Sequence, residues 1–172
     1  MGAVWRMNDD RKLIYQSAPR GDEDARVDDK GRLKLPARFL EYLNVRKDST
    51  VYITTFNPQM KMSLIYPSSE WQYRQEVWAD LARKGPEMAA AIESRKVVAN
   101  GYGGDSAIDS QGRVLVPAKL RKEMVLENAK VFLSFDEGRF NMWADADYTA
   151  NLNRALAQAS ASYDLLKSMG EG

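Results

Sequence analysis

The 172-residue chain contains no cysteine and no histidine. Without cysteine there is no disulfide, no thiolate metal site and no thiol nucleophile. Without histidine the commonest acid–base group and the commonest zinc ligand are gone as well. Catalysis would fall to Asp, Glu, Lys, Ser or Tyr, and no paired carboxylates stand at a spacing that demands a catalytic explanation. The expectation is therefore a binding protein and not an enzyme, with no cofactor, no metal and no small-molecule substrate. Charge of one sign is also scarce: 25 basic against 24 acidic residues leave a formal charge of +1. A nucleic-acid partner would have to be held by clustered cations or by several copies acting together. Long apolar runs are missing too. No stretch approaches the ~18 residues of a membrane span, and the start, MGAVWRMNDDRKLIY, puts charges where a secretion signal needs an apolar run. A cytoplasmic protein with no membrane partner is expected. The hydrophobic fraction of 44% is enough for a real core in one domain or two small ones.

What the chain does have is a phrase written twice. Residues 27–39 read VDDKGRLKLPARF and residues 108–120 read IDSQGRVLVPAKL. Asp28/Asp109, Gly31/Gly112, Arg32/Arg113, Pro36/Pro117 and Ala37/Ala118 each lie 81 positions apart, so the chain carries an internal repeat. Asp-Asp-Lys-Gly and Asp-Ser-Gln-Gly are turn sequences: the Asp carboxylate accepts from backbone N–H groups two or three residues on, and Gly takes the left-handed conformation. Asp28, Gly31, Asp109 and Gly112 are thus expected to structure two turns. Leu33 and Leu35 alternate with Arg32 and Lys34, as in a half-buried strand, and Val114 and Val116 repeat the pattern. Pro36 and Pro117 end the strands and can open short helices, the first carrying Phe39, Leu40 and Leu43 inward and the second Leu120 and Met124.

The parallel continues downstream. Val51–Ile53 with Leu64–Tyr66, and Val131–Leu133 with Phe140–Trp143, read as hairpins turning at Asn57-Pro58-Gln59 and Asp136-Glu137-Gly138. A helix follows each, with a capping box from Ser69 to Gln72 in one and Asp145 as cap in the other. Residues 70–96 look helical with a break at Lys84-Gly85-Pro86, and Val97–Asp105 leads on to strand and turn. Gly101-Tyr102-Gly103-Gly104 is not followed by Gly-Lys-Ser/Thr, so a phosphate loop is set aside. Leu152, Leu156, Ala159, Tyr163 and Leu166 recur at heptad-like steps, compatible with packing inside the chain or between subunits. The expected organisation is a tail over 1–18, a first unit with its helical connection over 19–96, a second unit over 97–152, and a C-terminal helix and tail over 153–172. A half of this size exposes a whole apolar face, so the two units should share one core. The fold class is α+β, mainly β with peripheral helices, in a pseudo-symmetric barrel whose hairpins interleave.

Strand, Asp-x-x-Gly-Arg turn, strand, Leu/Val-Pro and short helix resemble the swapped-hairpin barrel of AbrB-class DNA-binding proteins. Two such units in one chain, each followed by a hairpin and a helix opening near an aromatic, resemble the MraZ family over roughly residues 20–152. Arg20-Gly21 stands 8 positions before Asp28, as the family's leading Arg-Gly does. The resemblance implies a nucleoid-associated transcription regulator of the division and cell-wall gene cluster, forming homo-oligomeric rings that bind repeated operator boxes in double-stranded promoter DNA through the Asp-x-x-x-Arg loops. Carried over by position, Asp28, Arg32, Asp109 and Arg113 fall in those loops. Leu40 stands where the family usually has Arg, a place that Arg121 keeps, and Asp22-Glu23-Asp24 brings three acids near the first loop.

Fixed cations are what phosphate binding requires. Lys30, Arg32, Lys34 and Arg38 in the first unit, with Arg113, Lys119 and Arg121 in the second, are the candidate DNA-binding residues; Arg26 and Lys122 lie nearby. A structural reading stands beside this one: Arg32 and Arg113 could pair with Asp28 and Asp109 and merely brace their turns. Trp71, Trp78, Trp143 and Tyr148 are expected in packing and not in base stacking. The rival function is a ring-forming interaction module of the same fold that does not bind an operator. An AbrB-class antitoxin fits less well, because such chains carry a single unit.

Overall fold

Alternating apolar residues give each unit four strands, and the strands of one unit pair with those of the other. The structure, a computed structural model, describes residues 16–170. Most of the tail expected over 1–18, and the last two residues of the C-terminal segment, lie outside the described residues. The strands are β1 (Glu23–Arg26), β2 (Arg32–Lys34), β3 (Thr50–Thr54), β4 (Met62–Pro67), β5 (Gly104–Ala107), β6 (Arg113–Leu115), β7 (Lys130–Asp136) and β8 (Arg139–Ala144). The helices are α1 (Ala37–Val45), α2 (Ser68–Ala82), α3 (Pro86–Tyr102), α4 (Ala118–Met124) and α5 (Asp145–Ser168). The α+β class holds. No helix among the described residues is long and apolar enough to cross a membrane.

Six strands form one sheet in the order β1-β7-β8-β4-β3-β5, and β2 and β6 form a separate ribbon. Exchanging the units, β1 for β5, β2 for β6, β3 for β7 and β4 for β8, returns the same order reversed. The first strand of each unit pairs antiparallel with the third strand of the other: Ala25 faces Val131, and Ser106 faces Val51. Interleaving is thus a matter of backbone hydrogen bonds, since β1 and β5 find their partners outside their own units.

Pleating sends alternate residues to opposite sheet faces. Val51, Ile53 and Ile65 join Val131, Leu133, Phe140 and Met142 in one cluster, together with Phe39, Tyr42 and Leu43 of α1 and Leu120 and Met124 of α4. Phe39 stacks on Phe140 with centroids 4.4 Å apart, and Tyr42 meets Phe140 edge-on at 5.8 Å. The core is therefore shared, as expected of halves too small to bury their own faces. On the other face Tyr52, Leu64 and Tyr66 form a second cluster under α2, where Trp71 stacks on Tyr52 at 4.2 Å. Trp78 is buried against Trp71, and Tyr148 stacks on Phe132 at 4.1 Å. These aromatics serve packing, as expected.

Several local expectations are corrected. The Ser69–Gln72 capping box does not form: α2 starts at Ser68 after Pro67, with no side-chain cap of its own. Asp48 of the preceding loop takes that place, accepting from the Ser69 N–H at 2.9 Å and from the Ser69 hydroxyl at 2.7 Å. Arg46 donates to Asp48 at 3.1 Å and to Glu70 at 3.5 Å, so this helix start is tied to the end of α1 by a buried ionic cluster. This acceptor was missed because it lies 21 residues away. Asp145 is the first residue of α5 and makes no capping bond; Ala144 precedes it. Val97–Tyr102 continues α3, which begins at Pro86 as expected, and the strand starts only at Gly104. Pro36 and Pro117 sit just before their helices, each offering a carbonyl to the first turn. Leu40 is only partly buried, packing at the edge of the core, and Tyr42 joins Phe39 and Leu43 on the inward face.

Candidate nucleic-acid interface

The two copies of the turn close in the same way, bond for bond. In the first, the Asp28 carbonyl accepts from Gly31 N–H at 3.0 Å and Asp28 N–H donates to Arg32 carbonyl at 2.9 Å. Asp28 Oδ1 accepts from the N–H groups of Lys30 and Arg32, both at 2.9 Å, and Oδ2 accepts from Arg32 Nε at 2.8 Å. In the second, Asp109 Oδ1 accepts from Gln111 and Arg113 N–H at 2.9 Å, and Oδ2 accepts from Arg113 Nε at 2.8 Å. Gly31 and Gly112 have φ of +78° and +70°, a region costly for other residues. A Cβ at Gly31 would run into the Arg121 guanidinium, and one at Gly112 into Leu40. The matched helix position held by Leu40 in one unit and Arg121 in the other thus packs behind the opposite unit's loop in both cases.

Backbone bonds lock the two loops together. Leu35 N–H donates to Gly112 carbonyl and Val116 N–H to Gly31 carbonyl, each at 3.0 Å, flanking a ribbon in which Arg32 faces Leu115 and Lys34 faces Arg113. Leu33 and Val114 point into the core, so Arg32, Lys34, Arg113 and Leu115 share the outward face. Arg32 and Arg113 are diagonal neighbours across the ribbon, roughly 7–8 Å apart at Cα. Each guanidinium is oriented through Nε, and among the described residues its Nη groups meet no acceptor.

The Asp28 carboxyl is held below the ordinary aspartate range chiefly by the Arg32 backbone N–H, and Asp109 by that of Arg113, with the guanidinium adding in each case. A depressed carboxyl contributes stability above its unfolded-state value that is lost as pH falls through the folded value. This contribution to the loops is therefore present at neutral pH and lost only in acid.

The remaining candidate cations are unequal. Lys30 is exposed at the first loop tip, where the second loop has Gln111. Lys34 donates to the Gln111 carbonyl, while Arg38 pairs with Glu23 and donates to the Arg20 carbonyl at 2.9 Å. Arg38 is thus partly neutralised by the acidic stretch. Lys119 sits over the Tyr102 ring at 4.5 Å. Arg121 is only 18% exposed, and Arg26 reaches the Asn128 carbonyl at 2.7 Å. Sequence reasoning missed Leu115, which is 53% exposed on the ribbon. The signal was available: Leu115 lies 81 positions after Lys34 and takes its place in the second copy. Among the described residues, no group of three or more Asp or Glu side chains is arranged to hold a metal.

A family described as "MraZ protein, putative antitoxin-like" matches residues 105–165. The chain is 33% identical over 153 residues to the transcriptional regulator MraZ of Thiobacillus denitrificans, covering 89% of this chain and 97% of that one. It is 33% identical over 117 residues to the transcriptional regulator MraZ of Koribacter versatilis, covering 67% and 76% of the two chains. The chain belongs to the MraZ family. The match to the Thiobacillus relative spans nearly all of that protein, so both copies of the turn fall within what the family shares. Family membership and the duplicated loop are separate observations, one from similarity along the chain and the other from hydrogen-bond geometry.

Proposed function

We propose that the chain is a sequence-specific DNA-binding transcriptional regulator in the cytoplasm, nucleoid-associated, and that it reads promoter DNA with the β2–β6 ribbon. The observation that carries this is the pair of Asp-oriented arginines on one exposed face. A two-stranded antiparallel ribbon fits the major groove of B-DNA, and a guanidinium whose Nη groups are free can bond a guanine edge in bidentate fashion. The relatives named as transcriptional regulators favour the same reading. The target is the promoter of the division and cell-wall gene cluster, bound as a homo-oligomeric ring on repeated boxes. Leu152, Leu156, Tyr163 and Leu166 support self-association: among the described residues this heptad-like stripe is exposed along α5. A ring suits a chain of near-zero net charge, because linked copies add weak grips.

Electrophoretic mobility shift on DNA upstream of the protein's own gene tests this. A fragment with two spaced boxes should be retained far more tightly than one with a single box, and equal affinity for the two would overturn the ring-multivalent reading. The second reading, a ring-forming module without operator binding, draws on the Arg38–Glu23 pair, which removes a cation beside the first loop. No shift of either fragment at low salt would favour it.

Leu115 makes the two half-ribbons chemically different, one Arg-Lys and the other Arg-Leu. An exposed aliphatic side chain between reading arginines suits the C5-methyl of thymine. Leu115→Lys should therefore steepen the salt dependence of binding by about 0.9 log units per phosphate gained. It should also reduce the preference for the box over scrambled DNA, measured by fluorescence anisotropy. An unchanged preference would mean that Leu115 does not face the bases.

A further inference from the structure

Buried polar atoms in folded proteins nearly always have partners, and among the described residues four buried side-chain atoms have none: Nε of Arg74, Arg121 and Arg139, and Oδ1 of Asn141. Three of the four gather on one sheet face, beneath α2 and α3. Met62, Leu64 and Tyr66 alternate along that face of β4, and Asn141 of β8 stands opposite Leu64. Arg139 begins β8 two residues earlier, within 6.0 Å of the Tyr66 ring. From above, α2 brings Arg74 within 5.7 Å of the Tyr66 ring and α3 brings Arg95 within 4.5 Å of the Phe56 ring. Between them lies a cavity of about 510 Å³, within the range of small-molecule sites.

Its charge is unbalanced. Arg139 is compensated by Asp136 and Glu137, both at 3.0 Å. Arg74 and Arg95 make no ion pair with any described residue. Burial holds the Tyr66 hydroxyl above the ordinary tyrosine range, with the three guanidiniums working against that rise and Glu70 adding to it. Arg74 is half-buried and Arg95 stands exposed at the cavity mouth, so the two cations are placed to meet a dianion, and a phosphate monoester carries about −1.5 to −2 at neutral pH. Phe56, Met60, Met62, Leu64 and Val98 give the lining an apolar side, beside the polar Thr55, Asn57 and Ser94 and the Arg139-paired Glu137.

We propose that this cavity is a binding site for a phosphate monoester with an aromatic body. Arg74, Arg95 and the Tyr66 hydroxyl hold the phosphate, and the ring lies along Phe56 and Leu64. Aryl phosphates and nucleoside monophosphates share this chemistry. The site has no residue in common with the ribbon, so it stands whether or not the DNA reading does.

Isothermal titration of the full chain with phenyl phosphate, and separately with adenosine monophosphate, tests the proposal. Either ester should bind once per chain, and inorganic phosphate more weakly. Arg74→Gln and Arg95→Gln should each weaken the ester about tenfold or more, since each removes a charged donor, with the circular dichroism spectrum unchanged. Should either variant misfold, Ser94→Trp offers a second route: on exposed helix surface at the cavity edge, it should block binding with both arginines intact. Absence of heat from both esters at millimolar concentration would overturn the proposal. So would wild-type affinity in the variants, or inorganic phosphate binding as tightly as the esters. Breakdown of the oligomer by Arg74→Gln, with no ester bound by the wild-type chain, would assign the cavity to a neighbouring copy's carboxylate and refute it equally.

Discussion

A chain carrying Arg32→Ala and Arg113→Ala together is expected to lose promoter binding by roughly a hundredfold to ten-thousandfold while keeping its melting temperature within a few degrees. The first part follows from two base-reading arginines at about 1–3 kcal/mol each. The second follows from exposure. Both side chains are partly solvent-accessible, at 32% and 26%, and such ion pairs contribute little to stability. The turns themselves are closed mainly by backbone bonds and by Asp28 and Asp109 accepting from backbone N–H groups, which the substitutions leave in place. Anisotropy across a salt series with calorimetry on the same samples gives both readouts. A double variant that melts early or comes apart while still gripping DNA would assign the arginines to bracing the turns.

Removing the central ring of the core is expected to have the largest effect on stability. Phe140 is fully buried, stacked on Phe39 and met edge-on by Tyr42 and by Phe135 at 5.8 Å. Phe140→Ala should cost about 3–5 kcal/mol, because the cavity it leaves cannot close without moving α1 or the sheet. For a chain of this size that lowers the melting temperature by roughly 6–20 °C. The form of the transition is equally informative. Phe39 and Phe140 belong to the units proposed over 19–96 and 97–152, so the loss should be felt in one cooperative step. Two separated steps would show that the units fold independently.

Much of the candidate site was written in local chemistry. Asp-x-x-Gly-Arg specifies its own turn because every bond it needs lies within four residues, and the matching Asp side-chain bonds in both copies reflect that. The strand alternation that turns Arg32 and Arg113 outward is equally local. What the candidate cations do afterwards is not. Arg38 is occupied by Glu23 and Arg20, Lys34 by Gln111, and Arg121 is packed against Gly31, all across 15 residues or more. Asp48 as the donor-binding group at the start of α2 was invisible for the same reason, and so was the meeting of Arg74, Arg95 and Tyr66 around one cavity.

The sequence by itself determined the repeat, the two turns, the hairpins and the need for a shared core, since these rest on residue spacing, on glycine's access to positive φ and on apolar area that one half cannot bury alone. Tertiary structure decided which cations stay free, which face carries Leu115 beside the arginines, and where unpaired guanidiniums converge. Those outcomes depend on side chains far apart in sequence reaching the same few ångströms of space, and spacing along a chain carries no record of that distance.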